Sequence, residues 1–246
     1  MDKFVGSAFG DQSAPYYDAA LRAHEAIEPI ADFLLASLYS AGTLIEIGVG
    51  TGRVAAVLAE RSSGHIVGAD ISPKMLDILR ARGVENLDAL ELDITSTRPS
   101  GVFDGAYCIY NTLFMLGPIE RQDQALNNIR ASVQGGGSLV VEVFQPRDDF
   151  YAEDSLYMEP QYLDDSSVHL AVSKVNAAAR VVEMQNVFLT NEGITLAPSS
   201  FHFRTVDEID TAAERAGWSL EERFARWDRS PFTERSMNSI SVFRAT

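Results

Sequence analysis

The chain contains one cysteine, Cys108, in 246 residues. An intrachain disulfide and a multi-cysteine metal centre are therefore excluded. Basic residues are also scarce, 20 Lys and Arg against 35 Asp and Glu, which leaves a formal net charge of −15. A field of that sign repels nucleic acid and anionic membrane surfaces, and the cations are scattered, so neither is an expected partner. No apolar run reaches bilayer-spanning length, and the first residues show no basic segment followed by an apolar stretch. The expectation is a cytoplasmic protein with no metal. What the chain does have is apolar bulk: 46% of its residues are hydrophobic, enough for one substantial core, so a single domain over 1–246 is expected.

The most informative stretch is LIEIGVGTGR, residues 44–53. Apolar residues alternating with Glu46 read as a strand; Gly48, Gly50 and Gly52 break it, and helical spacing resumes at Val54. Glycines allow backbone angles and close main-chain approaches that other residues resist, and the following helix aims its positive end at the same spot. A dinucleotide fingerprint would place its third glycine one residue later, and Glu46 would repel a pyrophosphate.

The pattern continues downstream. HIVGAD ends in Asp70, LELDI contains Asp93 and ends in Ile94, FDGAYCIY leads from Asp104 towards Asn111, and GGGSLVVEVF supplies a fifth apolar run. Helical segments separate them: Ser72 and Pro73 open one that Gly83 closes, and another runs from Ile119 to Val133. Alternation at this spacing implies a parallel sheet covered on both faces, with ligands beyond the C-terminal strand ends.

The E-x-G-x-G-x-G turn followed by these acids resembles the class I S-adenosylmethionine-dependent methyltransferases across residues 43–144. The resemblance implies a Rossmann-like seven-stranded α/β sheet whose last strand is antiparallel, with helices on both faces. It also implies S-adenosylmethionine as cofactor and residue roles. Glu46 would hold the amino group, Gly48, Gly50 and Gly52 the methionyl part, Asp70 with Ile71 the ribose, and Asp93 with Ile94 the adenine. Tyr17 would fold over the cofactor, and Tyr110 would stand beside it. Tyr16, Asn111 and Phe114 would shape the acceptor side.

Flanking segments complete the picture. Residues 1–42 read as an N-terminal helical cap, with 1–15 as an unstructured lead-in, a helix from Asp18 and a second opening at Pro29 and stopping at Gly42. Residues 145–204 read as an antiparallel β insertion, from VHLAVSKV, ARVVEMQNVFLT and SSFHFR, standing over the site as a substrate lid or homodimer surface. Residues 205–246 begin with the capping box TVDE and end in a hairpin. Similar β insertions occur in sugar N-methyltransferases of antibiotic pathways.

Candidate bases are Glu142, His169 and His202, although aligning the reactants could supply most of the rate. The acid charge and the absence of an Asn-Pro-Pro-Tyr or Asp-Pro-Pro-Tyr run favour a small-molecule acceptor, bearing an amino or hydroxyl group of a secondary metabolite or its sugar. A non-catalytic cofactor-binding protein and a nicotinamide dehydrogenase are the alternatives.

Overall fold

A computed structural model describes residues 7–21, 26–38, 42–146 and 156–246. Five strands, β1 (Thr43–Ile47), β2 (His65–Asp70), β3 (Leu87–Glu91), β4 (Phe103–Cys108) and β5 (Val133–Phe144), pair in parallel. The helices between them are α3 (Arg53–Arg61), α4 (Pro73–Ala81), the short α5 (Thr112–Met115) and α6 (Ile119–Arg130). After α7 (Val206–Arg215), β10 (Trp218–Phe224) and β11 (Asn238–Ala245) join the edge. β11 enters antiparallel beside β5, giving the order β10-β11-β5-β4-β1-β2-β3. This is the seven-stranded sheet expected from the sequence, with its last strand antiparallel.

Alternation sorts the core into two layers. Ile45, Ile47, Cys108 and Val141 pack with Phe114, Leu126 and Ala213 on one face. Leu44, Tyr107, Val140 and Ile240 pack on the other with Phe33 and Leu34 of α2 (Glu28–Ser37), Leu58 of α3 and Leu76 of α4. Local signals set several helix ends. The Ser72 hydroxyl accepts from Met75 N with Pro73 in the first turn, and Thr205 and Glu208 form the reciprocal capping box.

The insertion forms its own four-stranded antiparallel sheet, β6 (Leu156–Leu163), β7 (Ser167–Asn176), β8 (Val181–Thr190) and β9 (Gly193–His202), in that order. β6 was not visible in the sequence because Glu159 and Pro160 interrupt its pattern; it is an edge strand with a register shift between Pro160 and Tyr162.

Four local expectations are corrected. Residues 8–15, read as part of a lead-in, fall within helix α1 (Ala8–Tyr16), which forms despite Pro15. It folds by docking: a Cβ on Gly10 would lie 2.5 Å from Ser72 Cβ, and Ser13 and Ala14 are buried. Where a helix was expected from Asp18, a π-helical turn covers Tyr17–Leu21, the continuation through 22–25 lies outside the described residues, and α2 ends at Ser37 rather than Gly42. The helix expected from Ile119 to Val133 stops at Arg130 as α6, and strand β5 already starts at Val133, so Gly135, Gly136 and Gly137 lie within it, with a register shift in its pairing with β4.

Candidate functional site

The turn after β1 uses its three glycines differently. Gly48, Gly50 and Gly52 all have left-handed φ, at 73°, 57° and 79°. A Cβ on Gly48 would meet Thr112 at 2.4 Å and one on Gly52 would meet Leu79 at 2.8 Å, so both are packing requirements. At Gly50 the nearest atom would be Tyr17 Cε1, 3.9 Å away. Here the backbone lies open to a ligand.

Asp70, at the tip of β2, accepts Gly50 N–H on Oδ2 and Ser72 N–H on Oδ1, each at 2.8 Å. Burial raises its pKa, against these hydrogen bonds. Asp93 accepts from the Thr95 amide and hydroxyl and pairs with Arg121 at 3.1 Å. Burial pushes its carboxyl up, but Thr95 and Arg121 outweigh that and hold it below the usual range. Glu46 is fully buried, and its Oε2 has no hydrogen-bond partner among the described residues. Burial pushes it up to about 8; the Tyr107 hydroxyl counters this and Asp70 adds to it. The open Gly50 backbone with Asp70 and Asp93 on the cavity wall, and an unpartnered carboxyl oxygen of Glu46 behind the turn that can give up its proton to a nearby cation, suit a ligand with hydroxyls and a cationic group.

The N-terminal segment is latched over this turn. Ser72 Oγ donates to Asp11 at 2.7 Å, Thr51 Oγ1 donates to Asp18 at 2.6 Å, and Arg82 bonds both Asp18 and the Thr51 carbonyl. On the other side, Tyr110 and Asn111 leave β4 with left-handed φ of 56° and 62°. Glu142 holds both, its carboxylate accepting Tyr110 N–H at 2.6 Å and its carbonyl accepting Asn111 N–H.

A cavity of about 750 Å³ runs from the strand tips to the inner face of the insertion sheet. Tyr17, Gly48, Gly50, Asp70 and Ile71 line it, as do Asp93, Ile94, Tyr110, Asn111 and His169. Other expected site residues do not. Glu46 and Gly52 lie behind the wall, Glu142 is turned to the β4 loop, and Phe114 is in the core against Phe144. Tyr16 stacks on Phe188, and His202 lies outside the lining, its carbonyl accepting from Gln122. The sequence reading missed Asn186, Ser199, Met184 and Arg121, all of which line the cavity. Alternation along β8 and β9 was the available signal for the first three. Among the described residues no group of three or more His, Cys, Asp or Glu is placed to hold a metal ion, and no helix is long and apolar enough to cross a membrane.

Residues 44–137, which carry the glycine turn, Asp70 and Asp93, match the family described as a methyltransferase domain. The whole chain superimposes on the CcbJ methyltransferase from Streptomyces caelestis with a TM-score of 0.87 and 28% identity, covering 100% of both chains. The chain is an S-adenosylmethionine-dependent methyltransferase. Its fold is shared by CalS10, an amino pentose methyltransferase from Micromonospora echinaspora involved in calicheamicin biosynthesis, solved with S-adenosylmethionine bound. That likeness has a TM-score of 0.69 and 21% identity, over 90% of this methyltransferase and 91% of that chain. The sugar N-methyltransferase KedS8 from Streptoalloteichus sp. ATCC 53650 has a TM-score of 0.67 and 16% identity, over 95% and 90%. No curated protein matches this methyltransferase in sequence.

Proposed function

We propose that the enzyme methylates an amino or hydroxyl group of a small molecule, a secondary metabolite or its sugar. The observation that carries this is the continuity of one cavity from the Gly50 turn to the insertion sheet, with room for a cofactor and an acceptor together. S-adenosylmethionine, when bound, supplies a methyl group on a good sulfonium leaving group. In this reading the open Gly50 backbone receives the methionyl part and Asp70 with Ile71 the ribose. Asp93 with Ile94 takes the adenine, Tyr17 and Tyr110 flank the cofactor, and Glu46 answers its ammonium group through the wall of the turn. Asn111 shapes the acceptor side. The protein's task is chiefly alignment, for which effective molarities of about 10⁵ to 10⁸ M are attainable.

Charge supports an uncharged or cationic acceptor in the cytoplasm. The cavity is lined by Asp70, Asp93 and Glu159, and its Arg121 is engaged by Asp93. The similarity to an amino pentose and a sugar N-methyltransferase supports an amino sugar of an antibiotic pathway within this class.

The insertion also serves, in this proposal, as a homodimer surface. Its outer face carries cross-strand apolar rows, among them Pro160, Leu170, Val187 and Leu196, aligned across all four strands. Four strands about 4.8 Å apart and about eight residues long present on the order of 500 Å². Two copies face to face then reach the roughly 1,000 Å² total at which specific interfaces begin.

Parallel calorimetric titrations with S-adenosylmethionine, S-adenosylhomocysteine and NAD, followed by labelled methyl transfer to amino sugars, simple amines and alcohols, test the reading. Binding of the two sulfur compounds and labelling of an amine or alcohol are expected. Binding of NAD alone would overturn it.

A further inference from the structure

One imidazole on the inner face of the insertion is held in a single protonation pattern. His169 of β7 is buried, and its Nε2 lies 3.0 Å from Asn186 Oδ1 on β8. The Asn186 amide is oriented from its other end, because Nδ2 donates to the Ala197 carbonyl of β9 at 3.2 Å. The amide oxygen therefore faces the imidazole. An amide oxygen only accepts, so Nε2 carries the hydrogen and Nδ1 the lone pair.

That lone pair is unspent. Nδ1 is buried without a hydrogen-bond partner among the described residues, although His169 lines the cavity. Phe188, its direct partner across the β7–β8 pairing, stacks on the ring at 4.5 Å and 14°, and Tyr16 of α1 stacks on Phe188 at 4.7 Å. The ring is thus held by one hydrogen bond and one aromatic face. A bare buried acceptor costs stability until something donates to it. Ser199 Oγ on β9 is a second buried, unpartnered polar atom lining the same cavity.

We propose that His169 Nδ1 receives the N–H or O–H of the methyl acceptor and takes its proton, and that Asn186 is the positioning residue that keeps Nδ1 bare. The proposal rests on the methyl-transfer reading above. The proton leaves the acceptor atom for Nδ1 while that atom's electron pair bonds the methyl carbon and the carbon–sulfur pair stays on sulfur. The resulting imidazolium keeps its Nε2–H bond to Asn186 and returns its proton to water after product release. Ser199, Ala171 and Met184 line the same cavity and offer the rest of the acceptor one polar and two apolar surfaces.

Burial lowers the His169 pKa, so the ring awaits the acceptor neutral. The titratable groups around it are Tyr162, its partner across the β6–β7 pairing, Glu159 on the same strand and cavity wall, and Tyr16 beyond Phe188. The inner positions of β8 and β9 beside it are Asn186, Phe188, Thr195 and Ala197, none of which titrates.

Nitrogen-15 NMR of the histidine rings, with the His169 signals assigned from H169Q, decides the matter in the free protein and with S-adenosylhomocysteine. At pH 7 His169 should show a protonated Nε2 and a bare Nδ1. N186L should give a mixture of tautomers with S-adenosylhomocysteine Kd within about twofold of wild type. N186D should restore the single tautomer and raise the titration midpoint. In turnover, H169Q should lower kcat about 100-fold with the KM for S-adenosylmethionine unchanged, within the range of a lost proton acceptor. A hydrogen on Nδ1 in the wild type, an unaltered pattern in N186L, or undiminished kcat in H169Q would each overturn the proposal. Failure of the wild type to bind S-adenosylhomocysteine would count against the cofactor reading instead, since the tautomer is measured equally in the free protein.

Discussion

The Glu142 carboxylate accepts the Tyr110 backbone N–H at 2.6 Å, tying the middle of β5's C-terminal half to the loop that leaves β4. Two successive non-glycine residues with left-handed φ are costly unless their surroundings hold them. Asn111 completes the brace by accepting Phe144 N–H on its side-chain oxygen at 2.5 Å. Glu142 is placed as a scaffold for the cavity wall, not as a base facing the acceptor. E142A should cost about 2 kcal/mol of stability by stranding the half-buried Tyr110 N–H, whereas E142Q, whose amide oxygen still accepts, should stay within about 1 kcal/mol. Urea denaturation measures both. A large kcat loss in E142Q at unchanged stability would return the carboxylate to the chemistry.

Asp70 bridges the Gly50 turn and the start of α4. D70A should weaken S-adenosylhomocysteine binding by at least about 1.5 kcal/mol, roughly tenfold in Kd, if it loses a charged hydrogen bond to the ribose. Calorimetry reads this directly, and unchanged affinity removes Asp70 from the site.

Glu46 gives the protein a pH signature. Its carboxyl rises from 4.5 to about 8 on folding, so between these values the folded state binds a proton that the unfolded state has released. The contribution is fully present below pH 4.5, falls as pH rises by at most about 1.4 kcal/mol per unit, and levels off above 8. E46Q lacks this loss. Its stability relative to wild type should therefore climb from pH 5 to pH 8 in urea titrations, and a flat difference would contradict the raised pKa. If Glu46 answers the ligand's ammonium group, binding of S-adenosylhomocysteine at pH 7 should also release protons, seen as a buffer-dependent calorimetric enthalpy.

The outer face of the insertion sheet predicts an assembly. Exposed Met158, Ile194 and Leu196 flank the half-buried Leu170 and Val187. V187K should shift the protein from dimer to monomer in light scattering while leaving S-adenosylhomocysteine affinity unchanged. A wild-type monomer at all concentrations would end the proposal.

How much was legible in advance followed the range of the interactions. The β1 turn, Asp70, Asp93, the Ser72 cap and the Thr205–Glu208 capping box were readable because each is a short-range arrangement with its own local chemistry. Helix α1 was not, since glycine, serine and Pro15 lack helix preference and its stability comes from docking against Ser72 and β9. Phe114 looked like a cavity residue by position but faces the core, because one turn of α5 rotates it away from the strand tips.

By itself, then, the sequence determined the core strands β1 to β5 with α3, α4 and α6 between them, the glycine turn and the acids at the strand tips, because hydrophobic period and turn chemistry act over a few residues. Only the tertiary structure decided which histidine faces the cavity, that Glu142 holds a loop, and that Asn186 sets the His169 proton. Those depend on strand register and on which side chains meet across the sheet. Residues 17 positions apart, such as His169 and Asn186, become hydrogen-bond partners only when β7 and β8 pair in one register.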